Sequence, residues 1–179
     1  CFLLESDEGR REWSVRGPFC DGWPVYHAVI DPGSRAIYAS AASEWHGAGV
    51  WRSGDPGETW EMSSEGLQYP EGDLKLSRVS GLAVSHGKVR VGAEAAGVFE
   101  SEDGGATWSL KSTLDDQPGR DSWNDPSRQP PGHLGMTAIL PHADDADRYM
   151  IIVQGYGIFE TADGGGTWEP CNTGLRAEW

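Results

Sequence analysis

Short apolar runs alternate with polar, glycine-rich turns along this chain, and each run is too short for a helix. Val25-Tyr26-His27-Ala28-Val29-Ile30, Arg35-Ala36-Ile37-Tyr38-Ala39-Ser40, Gly49-Val50-Trp51-Arg52 and Thr59-Trp60-Glu61-Met62 follow one another closely and read as four strands. The turn between the first two, Asp31-Pro32-Gly33-Ser34, consists of residues that each favour chain reversal. The same order returns in Ser80–Val84, Lys88–Val91, Gly97–Glu100 and Thr107–Leu110, and again in Met136–Leu140, Tyr149–Val153, Gly157–Glu160 and Thr167–Glu169. Ahead of all these, residues 2–5 and 12–16 predict two further strands. No stretch carries the 3.6-residue period of an amphipathic helix.

One turn recurs at a fixed place in each set. Ser53, Asp55, Gly57, Thr59 and Trp60 match Ser101, Asp103, Gly105, Thr107 and Trp108, and both match Thr161, Asp163, Gly165, Thr167 and Trp168. The pattern is [ST]-x-D-x-G-x-T-W, and Ser6-Asp7-Glu8-Gly9 with Trp13 is a worn copy. The aspartate can accept hydrogen bonds from amides of its own turn, the glycine can supply positive φ, and the tryptophan can cover the turn. Each turn offers one carboxylate and no following bidentate glutamate, which argues against calcium. No lysine or helix follows the glycines, which argues against a phosphate loop. The motif reads as a structural staple.

Four strands per repeat near this spacing predict an all-β fold: a β-propeller of four-stranded antiparallel blades joined by these turns. About three and a half blades are present, as a single partial domain over residues 1–179: a half blade at 1–16 and blades at about 24–63, 78–111 and 135–171. Such an arc leaves strand edges and half a core open, so further C-terminal blades of a longer protein, or a second copy, are expected to close it. Residues 112–134, rich in Pro, Gly, Asp and Ser, form the longest connection and a place where function can sit.

A net charge of −14 argues against a nucleic-acid partner and against an anionic membrane surface. No apolar stretch reaches the roughly 18 residues of a membrane span. Cys1, Cys20 and Cys171 are an odd number without C-x-x-C spacing; a Cys20–Cys171 bridge is conceivable, while the usage leans towards a reducing, cytoplasmic compartment. Neither a cofactor motif nor a metal-ligand spacing is present.

The repeated turn resembles the Asp-box, or BNR, repeat found in sialidases, sortilin-type receptors, xyloglucanases and photosystem assembly factors. Arg16-Gly17-Pro18-Phe19, Trp23-Pro24-Val25-Tyr26-His27 and Phe99–Gly105 look more closely like bacterial BNR-repeat proteins about twice this length, often labelled glycosyl hydrolase or sialidase-like. The resemblance implies that the motif turn joins the third and fourth strands on the face opposite an active site. Ligand-facing residues would then lie in 17–25, 64–80 and 112–135, and in 42–48, 93–96 and 154–156. It also implies inner-strand histidines in several blades, where this chain has His27 but Gly81 and Thr137.

On those loops, His27, His46 and His133 could line a channel, with a buried packing role the alternative for His27. Trp45, Trp123, Gln154 and Tyr156 could grip a sugar or a peptide, or lid the blade tops. Glu44 and Glu94 occupy equivalent loops of neighbouring blades and could form a carboxylate pair of the kind glycosidases need. Arg78, entering an innermost strand, could point into the channel or be a solvated loop residue. Arg52 and Arg90 are expected to face solvent or pair with acids. The sialidase signature Phe-Arg-Ile-Pro is absent, and Val15-Arg16-Gly17-Pro18 does not replace it. The expected function is a ligand- or protein-binding scaffold, with a sialidase-like or xyloglucanase-like hydrolase as the alternative.

Overall fold

A computed structural model describes residues 1–20, 22–43, 45–70, 74–124 and 135–175. Fourteen strands make up the ordered backbone of these residues. Strands β1 (Leu3–Ser6) and β2 (Trp13–Arg16) form a two-stranded antiparallel sheet. Blade 1 is a meander of β3 (Val25–Ile30), β4 (Ile37–Ser43), β5 (Gly47–Ser53) and β6 (Glu61–Ser63). Blade 2 repeats it with β7 (Val79–Ser85), β8 (Lys88–Ala93), β9 (Gly97–Ser101) and β10 (Ser109–Ser112). Blade 3 consists of β11 (Met136–Pro141), β12 (Tyr149–Val153), β13 (Gly157–Thr161) and β14 (Glu169–Pro170). All neighbours are antiparallel and consecutive, so the chain is an all-β partial propeller.

The blades stack through their faces, and the core lies in the seams between them. Val50, Val79, Leu82, Val91 and Phe99 fill the seam between blades 1 and 2. Val98, Leu114, Met136, Ile151 and Phe159 fill the next. Strand β4 is buried on both faces along nearly its whole length, which is why it reads as a continuous run of small and apolar residues. Apolar side chains remain exposed on the outer sheets: Phe2, Leu4, Trp13 and Val15 at one end, Leu140 and Met150 at the other.

Each innermost strand carries one β-bulge at its second residue, shown by a one-residue slip against its partner. Tyr26, Ser80 and Thr137 are the bulged residues. This corrects the alignment of the inner strands. His27 and Gly81 are equivalent, but the third member is Ala138, because Thr137 is displaced into the bulge.

The repeated turns join the third and fourth strands of each blade. Asp103 Oδ1 accepts from Ser101 Oγ at 2.7 Å, Ala106 N at 2.9 Å and Thr107 N at 2.9 Å, while Oδ2 accepts from Thr107 Oγ1 at 2.6 Å. Ser101 Oγ in turn accepts from Gly105 N at 2.8 Å, with Gly105 at φ 83° where a side chain would be strained. Asp55 and Asp163 repeat the arrangement with Ser53 and Thr59, and with Thr161 and Thr167. In the worn copy, Asp7 still accepts from the amides of Arg11 and Glu12, at 2.7 and 3.0 Å.

The motif tryptophans reach back to the preceding sheet. Trp108 Nε1 donates to Ser63 Oγ at 3.1 Å, and Trp168 Nε1 to Ser112 Oγ at 2.9 Å. Trp60 has no such serine before it; its ring stacks on Phe19 at 5.4 Å and its buried Nε1 has no hydrogen-bond partner among the described residues.

Candidate functional site

In a meander blade the first-to-second-strand turns and the repeated aspartate turns fall at one end and the entry and second-to-third-strand loops at the other. Arg78, immediately before β7, and Glu94, in the loop between β8 and β9, meet at that second end. Their side chains form an ion pair, 27% and 15% exposed, and Ser77 Oγ bonds the second Glu94 oxygen. The Arg78 guanidinium also lies 5.3 Å from the centroid of the Tyr26 ring, which the bulge in β3 turns towards it. Arg78 is therefore neither solvated nor a lone channel arginine.

The loop that carries Glu94 is strained and braced. Ala95 and Ala96 both have positive φ, 66° and 59°, in the left-handed region that alanine rarely adopts. Three contacts hold them. Tyr69 Oη donates to Glu94 O, Arg120 Nη2 donates to Ala95 O at 2.6 Å, and Glu94 N donates to Arg78 O at 2.9 Å. Tyr69 is buried, and burial pushes its hydroxyl well above the ordinary value, so it stays a neutral donor. Arg120 is itself 6% exposed, anchored by Thr113 O at 2.8 Å and lying over the Trp123 ring; burial lowers its affinity for a proton.

The remaining loop residues separate into two groups. Trp45 is 89% exposed, and His46 beside it packs its ring 5.4 Å from Trp23. Gln154 is exposed, and its amide bonds Gly135 O at 3.0 Å. Trp123, by contrast, is 7% exposed, stacked on Tyr156 at 4.4 Å and tilted against Phe159 at 5.6 Å. Its carbonyl accepts from Tyr156 Oη at 3.1 Å. This pair packs on the blade 3 core, the lid position that was the alternative to a ligand contact. His27 is half-buried, and its Nδ1 accepts from Leu82 N at 3.1 Å, so it bridges blades 1 and 2. Glu44 and His133 lie outside the described residues.

Arg90 and Arg52 both pair with acids, one of the two placements expected for them. Arg90 and Glu100, on adjacent strands, are 1% exposed in their side chains and meet at 2.8 Å in the seam between blades 2 and 3. Arg90 also donates to Ala146 O at 2.6 Å and sits 4.5 Å from the Tyr149 ring. Lys88 and Lys111 approach Glu100 at 3.4 and 3.3 Å. Arg52 pairs with Glu61 at 2.9 Å. Among the described residues no three His, Cys, Asp or Glu side chains come together as a metal site, the three cysteines are free, and no helix is long and apolar enough to cross a membrane.

No family model and no curated protein matches the sequence. The fold is nevertheless shared with YCF48 from Cyanidioschyzon merolae, at 16% identity over 86% of this chain and 38% of that one, with a TM-score of 0.56. It is shared equally with the GH74 xyloglucanase of Xanthomonas campestris, at 18% identity over 85% of this chain and 24% of that one, TM-score 0.56. The GH74 enzyme of Niastella koreensis gives 20% identity over 82% of this chain and 22% of that one, TM-score 0.55. The chain thus spans well under half the length of the proteins whose fold it shares. At these identities the likeness is one of fold.

Proposed function

We propose that this chain is a β-propeller scaffold that binds a ligand on the face opposite the Asp-box turns, centred on Arg78, Glu94 and Tyr26 with Trp45 as an exposed aromatic platform. The observation that carries the reading is the Glu94–Ala96 loop. Two adjacent alanines at positive φ cost of order 1–3 kcal/mol each, and three separate braces hold them there to present one charged pair. Strain held in this way belongs to a binding surface more naturally than to a connection whose only duty is to reverse the chain.

The hydrolase alternative rests on the shared fold with two GH74 proteins and needs a second carboxylate opposite Glu94. Both Glu94 oxygens are already engaged, by Arg78 and by Ser77, which favours recognition over proton transfer.

The test is a paired assay on one preparation: binding to an immobilised panel of neutral and sialylated oligosaccharides and of peptides, and release of fluorophore from sialosides and β-glucosides. The expected outcome is saturable binding that Trp45→Ala or Arg78→Gln weakens, with no turnover. Turnover abolished by Glu94→Gln establishes the hydrolase instead, and binding indifferent to both substitutions rejects this face as the site.

A further inference from the structure

The reverse face, where the Asp-box turns lie, holds a cavity of about 290 Å³ at the junction of blades 1 and 2. Its walls include Tyr38, Arg52, Glu61, the Asp55–Thr59 turn and Gly104 of the next blade's turn. One wall is the Tyr38 side chain, 5% exposed as a residue, whose hydroxyl makes no hydrogen bond with any described residue. The ring is packed away while its hydroxyl oxygen keeps solvent access at the cavity wall, unlike Tyr149 Oη in blade 3, which donates to Gly164 O at 3.2 Å.

The neighbouring junction shows that the space is not a necessity of the fold. Across blade 1 the register runs Tyr38, Arg52, Glu61; across blade 2 the same positions are Arg90, Glu100, Ser109. There Arg90 fills the seam, bonded to Ala146 O and paired with Glu100. In blade 1 the arginine sits one strand further out. Its Nη1 donates to Gly104 O at 3.3 Å, while Nε and Nη2 donate to Glu61 Oε2 at 3.3 and 2.9 Å. Three of the five N–H groups of a guanidinium are used in this way, leaving two for an occupant.

The structure assigns this cavity, we infer, to a small neutral polyhydroxylated molecule, a monosaccharide ring or polyol. The volume lies at the small end of ligand cavities, about 300 Å³ and upwards. The wall presents donors and acceptors together: Tyr38 hydroxyl and Arg52 N–H on one side, the carboxylates of Glu61 and Asp55 on the other. An anionic occupant meets those two carboxylates, and a cationic one meets Arg52 at the wall. Hydroxyl groups, each donor and acceptor, satisfy both sets.

The experiment is amide NMR of the whole chain during titration with D-glucose, methyl α-D-glucoside and glycerol. Saturable shifts at the Gly54 and Gly104 amides with any of the three are expected; the methyl glucoside separates a glycan end from a free sugar. Tyr38→Phe keeps the ring and removes one neutral hydrogen bond, so the apparent affinity should weaken about three- to tenfold. Trp45→Ala, on the opposite face, should leave these shifts unchanged, which keeps the outcome separate from that of the proposed function. No saturable shift at either amide with any probe, meaning water only, overturns the assignment. So does a Tyr38→Phe variant that titrates like the parent.

Discussion

The aspartates of the three repeated turns are strong acids in the folded chain. Asp55 and Asp163 are held at about 2 against an ordinary 3.8, and Asp103 lies lower still. The leading cause is the Thr59 hydroxyl for Asp55, the Thr107 hydroxyl for Asp103 and the Thr167 amide for Asp163. A carboxylate with a depressed value binds protons less readily folded than unfolded. Its stabilising effect is therefore complete above the unfolded value and drains away as pH falls from about 4 towards 2. Thermal midpoints recorded across that window should decline, and Asp103→Asn should flatten the decline; a flat profile for the parent chain rejects the account. The two latching serines allow a sharper prediction. Ser63→Ala or Ser112→Ala strands a buried indole N–H, and each should cost about 1–3 kcal/mol in urea unfolding. An equal loss from a serine far from any tryptophan would count against the latch.

At the scale of strands and sheets, the seam between blades 2 and 3 encloses the Arg90–Glu100 pair. Removing Glu100 leaves Arg90 as a buried unpaired charge, so Glu100→Leu alone should cost about 3–5 kcal/mol; Arg90→Met should cost less, because Lys88 and Lys111 still face Glu100, and the double variant should recover most of the larger loss. Additive losses in denaturant unfolding would show that the two side chains act separately. The strands and the turn motif were legible in the sequence because their determinants are local: Asp103 finds every partner between Ser101 and Thr107. The seams were not, because their partners lie far apart in the chain. Trp108 and Ser63 are separated by 45 residues, and nothing near Ser63 marks it as an acceptor. Arg90 reads as facing solvent or pairing with an acid, and nothing near it in sequence says which until Glu100 and Tyr149 are placed beside it. Trp123 stayed open between a ligand contact and a lid for a similar reason. Its neighbours in sequence are loop-forming, and the residues that bury it, Tyr156 and Phe159, belong to a later blade. The place of Thr137 was missed because a bulge shifts register without leaving a mark in residue type.

For the whole molecule, the apolar side chains left on the outer sheets set its behaviour in solution. Phe2, Leu4, Trp13 and Val15 at one end and Leu140 and Met150 at the other are 37–62% exposed, and β1 has an edge with no strand of the described residues beside it. Expressed by itself, the 179-residue chain is expected to self-associate through these faces. Light scattering behind a sizing column should show dimers or larger species, reduced by Leu140→Lys with Met150→Lys. A monomer at all concentrations would count against the idea. The two ends of the arc are not alike, however, because the latches have a direction: every indole points backwards and every serine waits forwards. Blade order is therefore a kind of grammar. A sheet moved to the front keeps a tryptophan that finds no serine, the state in which Trp60 already stands against Phe19. A circular permutant that preserves the Trp108–Ser63 and Trp168–Ser112 couples should keep the parent's urea midpoint, whereas a variant with the segments of blades 1 and 2 exchanged should unfold at a lower one, although every blade is present in both.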